Sequence, residues 1–390
     1  ARQIRLVNRL RASWLAGKTR PIEYRISQLE ALGRFLDEKK QSILDVLAAD
    51  LSKGEFSDIL LVRNEVNYAI NNLSAWMKDE HVEKNLVVQL DSAFVRKDPY
   101  GVALIIGPWN YPIHLLLVPM IGAIAAGNCV IIKPSEISKY SEALIAEMLP
   151  NYLDKDCFAV VTAGVEETTK LLENKFDYIF FTGNPRVGKI IMKAAATHLT
   201  PVTLELGGKN PCYVADQCDL QNAANRIVWG RFFNAGQSCI APDYVLCTLE
   251  TQEKLLPEIF GPILPIVTVA NLEEAIDFIN ARERPLSLYA FSCDNKVIHQ
   301  LLDRTSSGGF CGNDTLMHVA LVSLPFGGIG NSGMGKYHGK FSFDTFSHHR
   351  ASLLRNAGLE AINRVRYPPY SDQKMALQHT PTHRLPDCIG

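Results

Sequence analysis

The sequence predicts an α/β protein: a doubly wound parallel sheet with helices on both faces, followed by a second domain. Two observations carry the first part. From Gly101 to Ile132, "GVALIIGPWNYPIHLLLVPMIGAIAAGNCVII", there is no Asp, Glu, Lys or Arg. Such a run fits a strand, helix and strand whose parallel strands are buried on both faces. Strand-like and helix-like segments then alternate through "CFAVVTAG", "DYIFFTGNPRVGKIIMKAAATHL" and "PVTLELGGKNPCYVA", the pattern of parallel strands joined by helical crossovers. A third observation marks a boundary. After Leu206 glycines, prolines and loops become more frequent, and a second domain begins.

The elements follow in chain order. "ARQIRLVNRLRASWLAGKTR" is basic and amphipathic without the apolar core of a signal peptide, so a surface helix is expected. Residues 20–80 repeat apolar positions at three- and four-residue spacing and read as helices. Asn85 to Lys97 alternates weakly and reads as an extended excursion. Within the uncharged run the expected pieces are a strand at Val102–Ile106, a loop at Gly107–Pro112, a helix to about Ala126 and a strand at Val130–Ile132. The run is long enough to span a membrane, but its three prolines and Trp-Asn-Tyr turn argue for a buried unit instead. "QEKLLPEIFGPILPIV", residues 252–267, joins a helix end directly to an apolar turn and strand. The tail from Arg366 is polar and expected to be poorly ordered.

Bulk properties narrow the function. The 390 residues carry 47% hydrophobic and 21% charged residues and a net charge of −1, a soluble globular composition with room for two or three domains. Nothing in that balance points to nucleic acid. The nine cysteines are odd in number and lack paired spacing. Neither a zinc pattern nor a disulfide framework fits them, and a reducing, cytoplasmic compartment is expected.

Several residues have the chemistry of a site. Cys239 in "FNAGQSC" follows Gly236; a nucleophilic thiol needs partial exposure and a depressed pKa or a nearby base, and a buried structural cysteine is the competing reading. Glu205 in "TLELGGKNP" ends an apolar strand, where burial would raise its pKa and suit it to general-base work; a turn carboxylate paired with Lys209 is the alternative. Asn110 in "GPWNYP" lies in a loop at the carboxyl end of a strand, where open α/β sheets bind ligands. Its amide is a candidate oxyanion donor, or simply a turn residue between prolines. Lys133 and Glu136 in "VIIKPSE" are placed to hold ribose hydroxyls or to form a surface ion pair. "FFTGNPRVGKI" is a strand, Gly183, Gly188 and a helix, a turn suited to phosphate. Ile190 stands where the triphosphatase loop needs Ser or Thr.

Together these motifs are specific. "PWNYP", "KPSE", "FTG" with its following glycine, "ELGGKNP", "GQSC", "EIFGP" and "PFGGIGNSGMG" occur in the order of the aldehyde dehydrogenase superfamily. "YHGKFSFDTFSHHR" and "MKDEHVEKNL" resemble its class 3 branch of fatty and aromatic aldehyde dehydrogenases. The resemblance extends to about Tyr370. It implies NAD(P)-dependent oxidation of medium- to long-chain aliphatic or aromatic aldehydes to acids. Cys239 would be the nucleophile, passing through a thiohemiacetal and a thioester. Asn110 and the Cys239 backbone N–H would hold the oxyanion, and Glu205 would activate water. It further implies Lys133 and Glu136 at the adenosine ribose, Gly183 and Gly188 near the phosphates, Glu258 at the nicotinamide ribose and Phe260 beside it. The cofactor is NAD or NADP.

The implied architecture has a dinucleotide-binding domain at 1–80 and 100–205 and a catalytic domain at 206–345. A bridging arm at 81–99 and 346–366 would mediate a homodimer, with a tail at 367–390. Relatives that attach peripherally to membranes or lipid droplets often end in C-a-a-X. Here Cys388 in "PDCIG" stands one place too late for that motif.

The chain departs from the family at Pro257–Glu258, where a large part of the catalytic domain is expected and none is present. A smaller shortening is expected around "LSKGEFSDILLVRNEV". The larger gap predicts a catalytic sheet stripped of cover. Each 100 Å² of apolar surface left wet forgoes roughly 2.5 kcal/mol, against a total stability of about 5–15 kcal/mol. A catalytically impaired protein that only dimerises or binds cofactor is therefore a second reading, and a cysteine ester hydrolase a third.

Overall fold

The computed structural model describes residues 2–52, 57–84, 88–255, 264–355, 357–358, 360–372 and 374. Four helices open the chain: α1 (Arg2–Leu15), α2 (Ile22–Glu38), α3 (Lys40–Leu51) and α4 (Ser57–Trp76). Helix α2 shows why they form. Its buried Leu29, Leu32, Phe35 and Leu36 recur at the spacing that lines one helical face. The expected shortening near residue 53 falls between α3 and α4 and lies partly outside the described residues.

After β1 (Glu80–His81) and β2 (Ser92–Pro99), the uncharged run becomes β3 (Val102–Ile106), α5 (His114–Ala126) and β4 (Cys129–Lys133). Every residue of these three elements is buried. No described helix is long and apolar enough to cross a membrane. The alternation continues with α6 (Lys139–Met148), β5 (Phe158–Val160), α7 (Val165–Leu172), β6 (Tyr178–Thr182), α8 (Pro185–Ala196) and β7 (Val202–Glu205). These strands build a sheet of order β13-β7-β6-β3-β4-β5. All its pairings are parallel except one: β13 (Gly333–Met334) runs antiparallel to β7, with Gly333 opposite Glu205. A Cβ on Gly333 would lie 2.4 Å from the Leu204 carbonyl oxygen, and its φ is +153°. Only glycine lets this late segment close on β7.

The sheet is wound outward in both directions from β3, through β4 to β5 and through β6 to β7. The crevice between the carboxyl ends of β3 and β6 is thus a topological switch point. The loops that leave these two strands carry Asn110 and Gly183.

Beyond Glu205 the chain builds a second sheet from β8 (Asn210–Val214), β9 (Pro242–Cys247), β10 (Ile266–Thr268), β11 (Ser287–Phe291) and β12 (Gly309–Gly312). Its order is β10-β9-β8-β11-β12, parallel throughout. Helices α9 (Leu220–Phe232) and α10 (Leu249–Leu255) supply one face, where Ala223, Ala224, Ile227 and Leu255 pack on Cys212, Val214, Val245, Tyr289 and Phe291. Helices α11 (Leu272–Asn280) and α12 (Asn295–Arg304) supply the other, where Ala275, Ile276, Ile279 and Leu301 pack on Tyr213, Leu246, Leu288 and Ala290.

This corrects the expectation of a stripped sheet. Strand β10 pairs with β9, Ile266 opposite Val245 and Thr268 opposite Cys247, and residues 248–265 between them include α10. A parallel crossover needs a dozen or more residues, so the shortened chain still reaches the next strand position. Both faces of the central strands remain covered, with β8 and β11 wholly buried.

The chain divides into two compact units, one of Ala1–Trp76 and Pro99–Ser347, the other of Met77–Asp98 and His348–Gly390. The first holds both large sheets and α13 (Gly339–Thr345). The second holds a three-stranded sheet of order β1-β2-β14, with β14 at Ser347–Leu354. There the buried Asp91 carboxylate meets the Arg355 guanidinium at 2.8 Å.

Candidate active site

A cavity of about 700 Å³ opens in the larger unit at the switch point. Asn110, Lys133, Glu136, Gly183, Glu205 and Cys239 all line it. Gly188 does not: it lies inside α8, and a Cβ there would meet the Leu206 side chain at 2.8 Å. Its place is the packing of helix on strand. Glu258 and Phe260 lie outside the described residues.

Glu205 ends β7 and is 2% exposed. Neither carboxylate oxygen has a hydrogen-bond partner among the described residues. Burial without a donor pushes its pKa well above the usual carboxylate range. Lys209, the alternative partner, instead reaches Asp243 at 3.3 Å. The Glu205 backbone oxygen accepts from Gly183 N–H at 2.9 Å, which ties the carboxylate strand to the glycine turn.

Cys239 is half-buried. Its thiol is pushed up to about 12, chiefly by burial and next by Glu205, while the backbone N–H groups of Cys239 and Ile240 pull it down. The free structure therefore lacks the depressed thiol pKa that the sequence reading asked of a nucleophile. What it provides is a carboxylate lining the same cavity.

Asn110 is fixed by the same loop. Its Nδ2 donates to the Gln237 carbonyl at 2.9 Å. Asn234 donates from Nδ2 to the Asn110 carbonyl at 2.9 Å and to the Gln237 carbonyl at 3.1 Å. Asn234 and Ala235 both take φ of +55°, a left-handed conformation that asparagine tolerates better than most residues. This pair of amides joins the β3 loop to the cysteine loop.

Lys133 closes β4, its side chain 5% exposed, with Nζ 2.5 Å from the Glu136 carboxylate. The pair lines the cavity wall and is only partly at the surface. At the opposite wall α8 begins with Pro185 at its first position, and the Asn184 side chain accepts from Val187 N–H at 2.9 Å. A Cβ at Gly183 would lie 2.4 Å from the Phe181 ring, so glycine lets the turn fold close beneath the helix N-terminus.

The sequence reading missed three residues. Asn234 and Asn210 stand inside quoted motifs, each two residues from a glycine, and their signal was asparagine in a turn-like stretch, where side-chain amides commonly tie up backbone groups. Tyr337 lines the cavity at 1% exposure, wedged between Phe180 at 5.2 Å and Phe326 at 5.5 Å. Its signal was a lone aromatic after a glycine-rich stretch.

Comparison with known proteins agrees with this arrangement. The model of the aldehyde dehydrogenase family matches residues 10–257 and 256–351, two segments that meet where the sequence shows its gap. Aldehyde dehydrogenase family 3 member B1 of Homo sapiens is 54% identical over 446 aligned positions, covering 95% of each chain. Since 95% of 390 residues is about 371, roughly 75 of those positions have no residue in this chain. Aldehyde dehydrogenase family 3 member A2 of Macaca fascicularis is 45% identical, covering 95% of this chain and 92% of its own. Among solved structures, substrate-bound AldH of Staphylococcus aureus superimposes with a TM-score of 0.92 at 34% identity, over 96% of this chain and 98% of its own. On the family model, these relatives and the fold together, the chain belongs to the aldehyde dehydrogenase family.

Proposed function

We propose that the protein oxidises medium- to long-chain aliphatic or aromatic aldehydes to carboxylic acids with NAD or NADP, through intermediates carried on Cys239. The observation that carries this reading is the meeting in one cavity of Cys239, the Asn110 amide and a buried Glu205 whose carboxylate has no hydrogen-bond partner among the described residues.

The cavity suits a dinucleotide. The buried Lys133 beside Glu136 offers a donor and an acceptor for ribose hydroxyls, and the Gly183 turn under the α8 N-terminus suits phosphate. When bound, the nicotinamide supplies the two-electron acceptor for the oxidation.

This chain's residues do the rest. The Cys239 sulfur attacks the aldehyde carbon, and the oxyanion of the thiohemiacetal falls to the Asn110 amide and the Cys239 backbone N–H. Once the carbon is oxidised to a thioester, Glu205 takes a proton from water, the resulting hydroxide adds to the acyl carbon, and the thiolate leaves. Burial favours this role, because a carboxylate with a raised pKa is a stronger base.

The reading as a cofactor-binding relic loses force because the nucleophile, base and amide share a cavity lined from both sides of the junction. The ester-hydrolase reading leaves Lys133, Glu136 and the glycine turn without a role. We also assign, from the family resemblance, a homodimer built through the smaller unit. A reducing, cytoplasmic setting accords with the free thiols of the described cysteines, and peripheral lipid association has only the resemblance behind it. The test is purified protein with a fatty aldehyde and NAD or NADP. Reduced nicotinamide should form, and Cys239→Ala should abolish it. Cofactor binding without turnover would replace this reading with the relic. Ester cleavage indifferent to cofactor would replace it with the hydrolase.

A further inference from the structure

The second sheet carries its hydrogen bonding past the ends of β8 and β11. Ala215 N–H donates to the Phe291 carbonyl at 2.9 Å, and Cys293 N–H donates to the Gln217 carbonyl at 2.8 Å. In a parallel ladder the residue that donates stands opposite the residue that follows the acceptor. Strands β4 and β5 obey this rule: Val130 N–H donates to the Cys157 carbonyl, and Val130 lies opposite Phe158. By the same rule Cys293 stands opposite Cys218, with the two backbones about 4.8 Å apart. A disulfide joins Cα atoms about 4.4–6.8 Å apart.

The two side chains also share a face. Cys218 packs against the cluster that holds Val214 and Phe291. Cys293 lies two residues beyond Phe291, the spacing that returns an extended chain to the same face. Each cysteine is then fixed by the helix that follows it. Asp219 caps α9 by accepting from Asn222 N–H at 3.0 Å, and Asp294 caps α12 by accepting from Lys296 N–H at 2.8 Å. The Cys218 thiol is pushed up to about 11, first by burial and next by Cys293.

Exposure sets this pair apart. Among the described cysteines only Cys293 is exposed, and its neighbour Cys218 is half-buried. The register also sets Cys129 beside Cys157, one position before Val130 and Phe158, but both of those are wholly buried. A dissolved oxidant reaches the first pair and not the second.

We propose that Cys218 and Cys293 form a reversible redox site, closed to a disulfide by a hydroperoxide and reopened by a dithiol. The Cys293 thiolate attacks the peroxide, the oxygen–oxygen bond breaks, and Cys293 becomes a sulfenic acid as alkoxide leaves. The Cys218 sulfur then attacks the sulfenic sulfur and expels hydroxide, closing the disulfide. The two thiols supply the two electrons and two protons, so one hydroperoxide becomes one alcohol and one water. Transient pairs of this kind are the disulfides that reducing compartments allow. The bond closes the chain from 218 to 293, the stretch that contains the junction at Pro257–Glu258, and a closed loop restricts the unfolded chain.

The test treats the full chain with hydrogen peroxide, then denatures it, blocks the remaining thiols with N-ethylmaleimide and maps the peptides by mass spectrometry. A Cys218–Cys293 link should form, dithiothreitol should reverse it, and Cys129 and Cys157 should carry the maleimide. The oxidised protein should unfold at a higher temperature than the reduced one. In Cys218→Ser the resolving thiol is gone, and dimedone should capture Cys293 as the sulfenic acid. Should that variant fail to fold, Cys293→Ser, at an exposed position, should abolish the link and the rise in unfolding temperature together. Cys293 joined to any other cysteine, in the same chain or in a second copy, overturns the proposal. So does a Cys129–Cys157 link formed first, or Cys293 oxidised beyond the sulfenic acid while Cys218 stays a thiol. An unfolding temperature that does not rise overturns the tying of the junction. None of these readouts depends on dehydrogenase activity.

Discussion

Cys239 and Glu205 each resist ionisation chiefly because they are buried, and a charged Glu205 raises the Cys239 thiol further. Cys239 as nucleophile and Glu205 as base both act in their deprotonated forms, so the sign of the pH dependence follows. A raised pKa moves the deprotonated, active form to higher pH, and kcat/KM should climb through the neutral and into the alkaline range. Glu205→Gln removes only the base for thioester hydrolysis. Steady turnover should fall by about 10²–10⁴, while a first burst of reduced nicotinamide persists and acyl-Cys239 accumulates. A burst lost in step with turnover would place Glu205 at the addition step instead. Taken singly the cysteine, the strand-end glutamate and the asparagine between prolines each had an ordinary structural reading, and the site became legible only through the order of the motifs that carry them. Asn210 and Asn234 were not legible in their roles. Each acts on carbonyls contributed by a different stretch of chain, and nothing in a local window shows which carbonyls the fold delivers.

At the scale of elements, the uncharged run announced β3, α5 and β4 because strands buried on both faces tolerate almost no charge. The antiparallel β13 gave no such signal. It is two residues long and glycine-rich, and only the closeness of Gly333 to Leu204 explains it. A similar closeness joins α5 to α13. A Cβ on Gly122 would lie 2.3 Å from the Ser342 Cβ and 2.9 Å from its backbone carbon. Gly122→Ala gains about 1 kcal/mol in helix propensity, yet overpacking typically costs about 1–3 kcal/mol. Backbone atoms are among those displaced, so the cost should win. Thermal unfolding of this variant should begin at lower temperature than in the parent. An unchanged or higher midpoint would mean that α13 shifts without resistance.

At the scale of the molecule, the gap at Pro257–Glu258 is a matter of topology. Strands β8 and β9 come before the junction and β10, β11 and β12 after it, yet all five share one sheet. The cavity repeats the pattern, with Asn110, Glu205 and Cys239 contributed from before the junction and Leu286, Phe326 and Tyr337 from after it. Neither part can complete the sheet or the cavity without the other, so the larger unit should unfold as one. With Trp14, Trp76 and Trp229 replaced by Phe, Trp109 fluorescence reports the cavity and far-ultraviolet circular dichroism the backbone that includes the sheet, and the two signals should lose structure at a common temperature. Dinucleotide at a hundred times its dissociation constant should then raise the stability of both signals together by about 2.7 kcal/mol. If the tryptophan signal were protected and the sheet signal were not, the junction would have uncoupled the cavity from the catalytic sheet. That is the result the impaired-protein reading requires. Protection of both together leaves the shortened chain with a complete sheet behind its nucleophile.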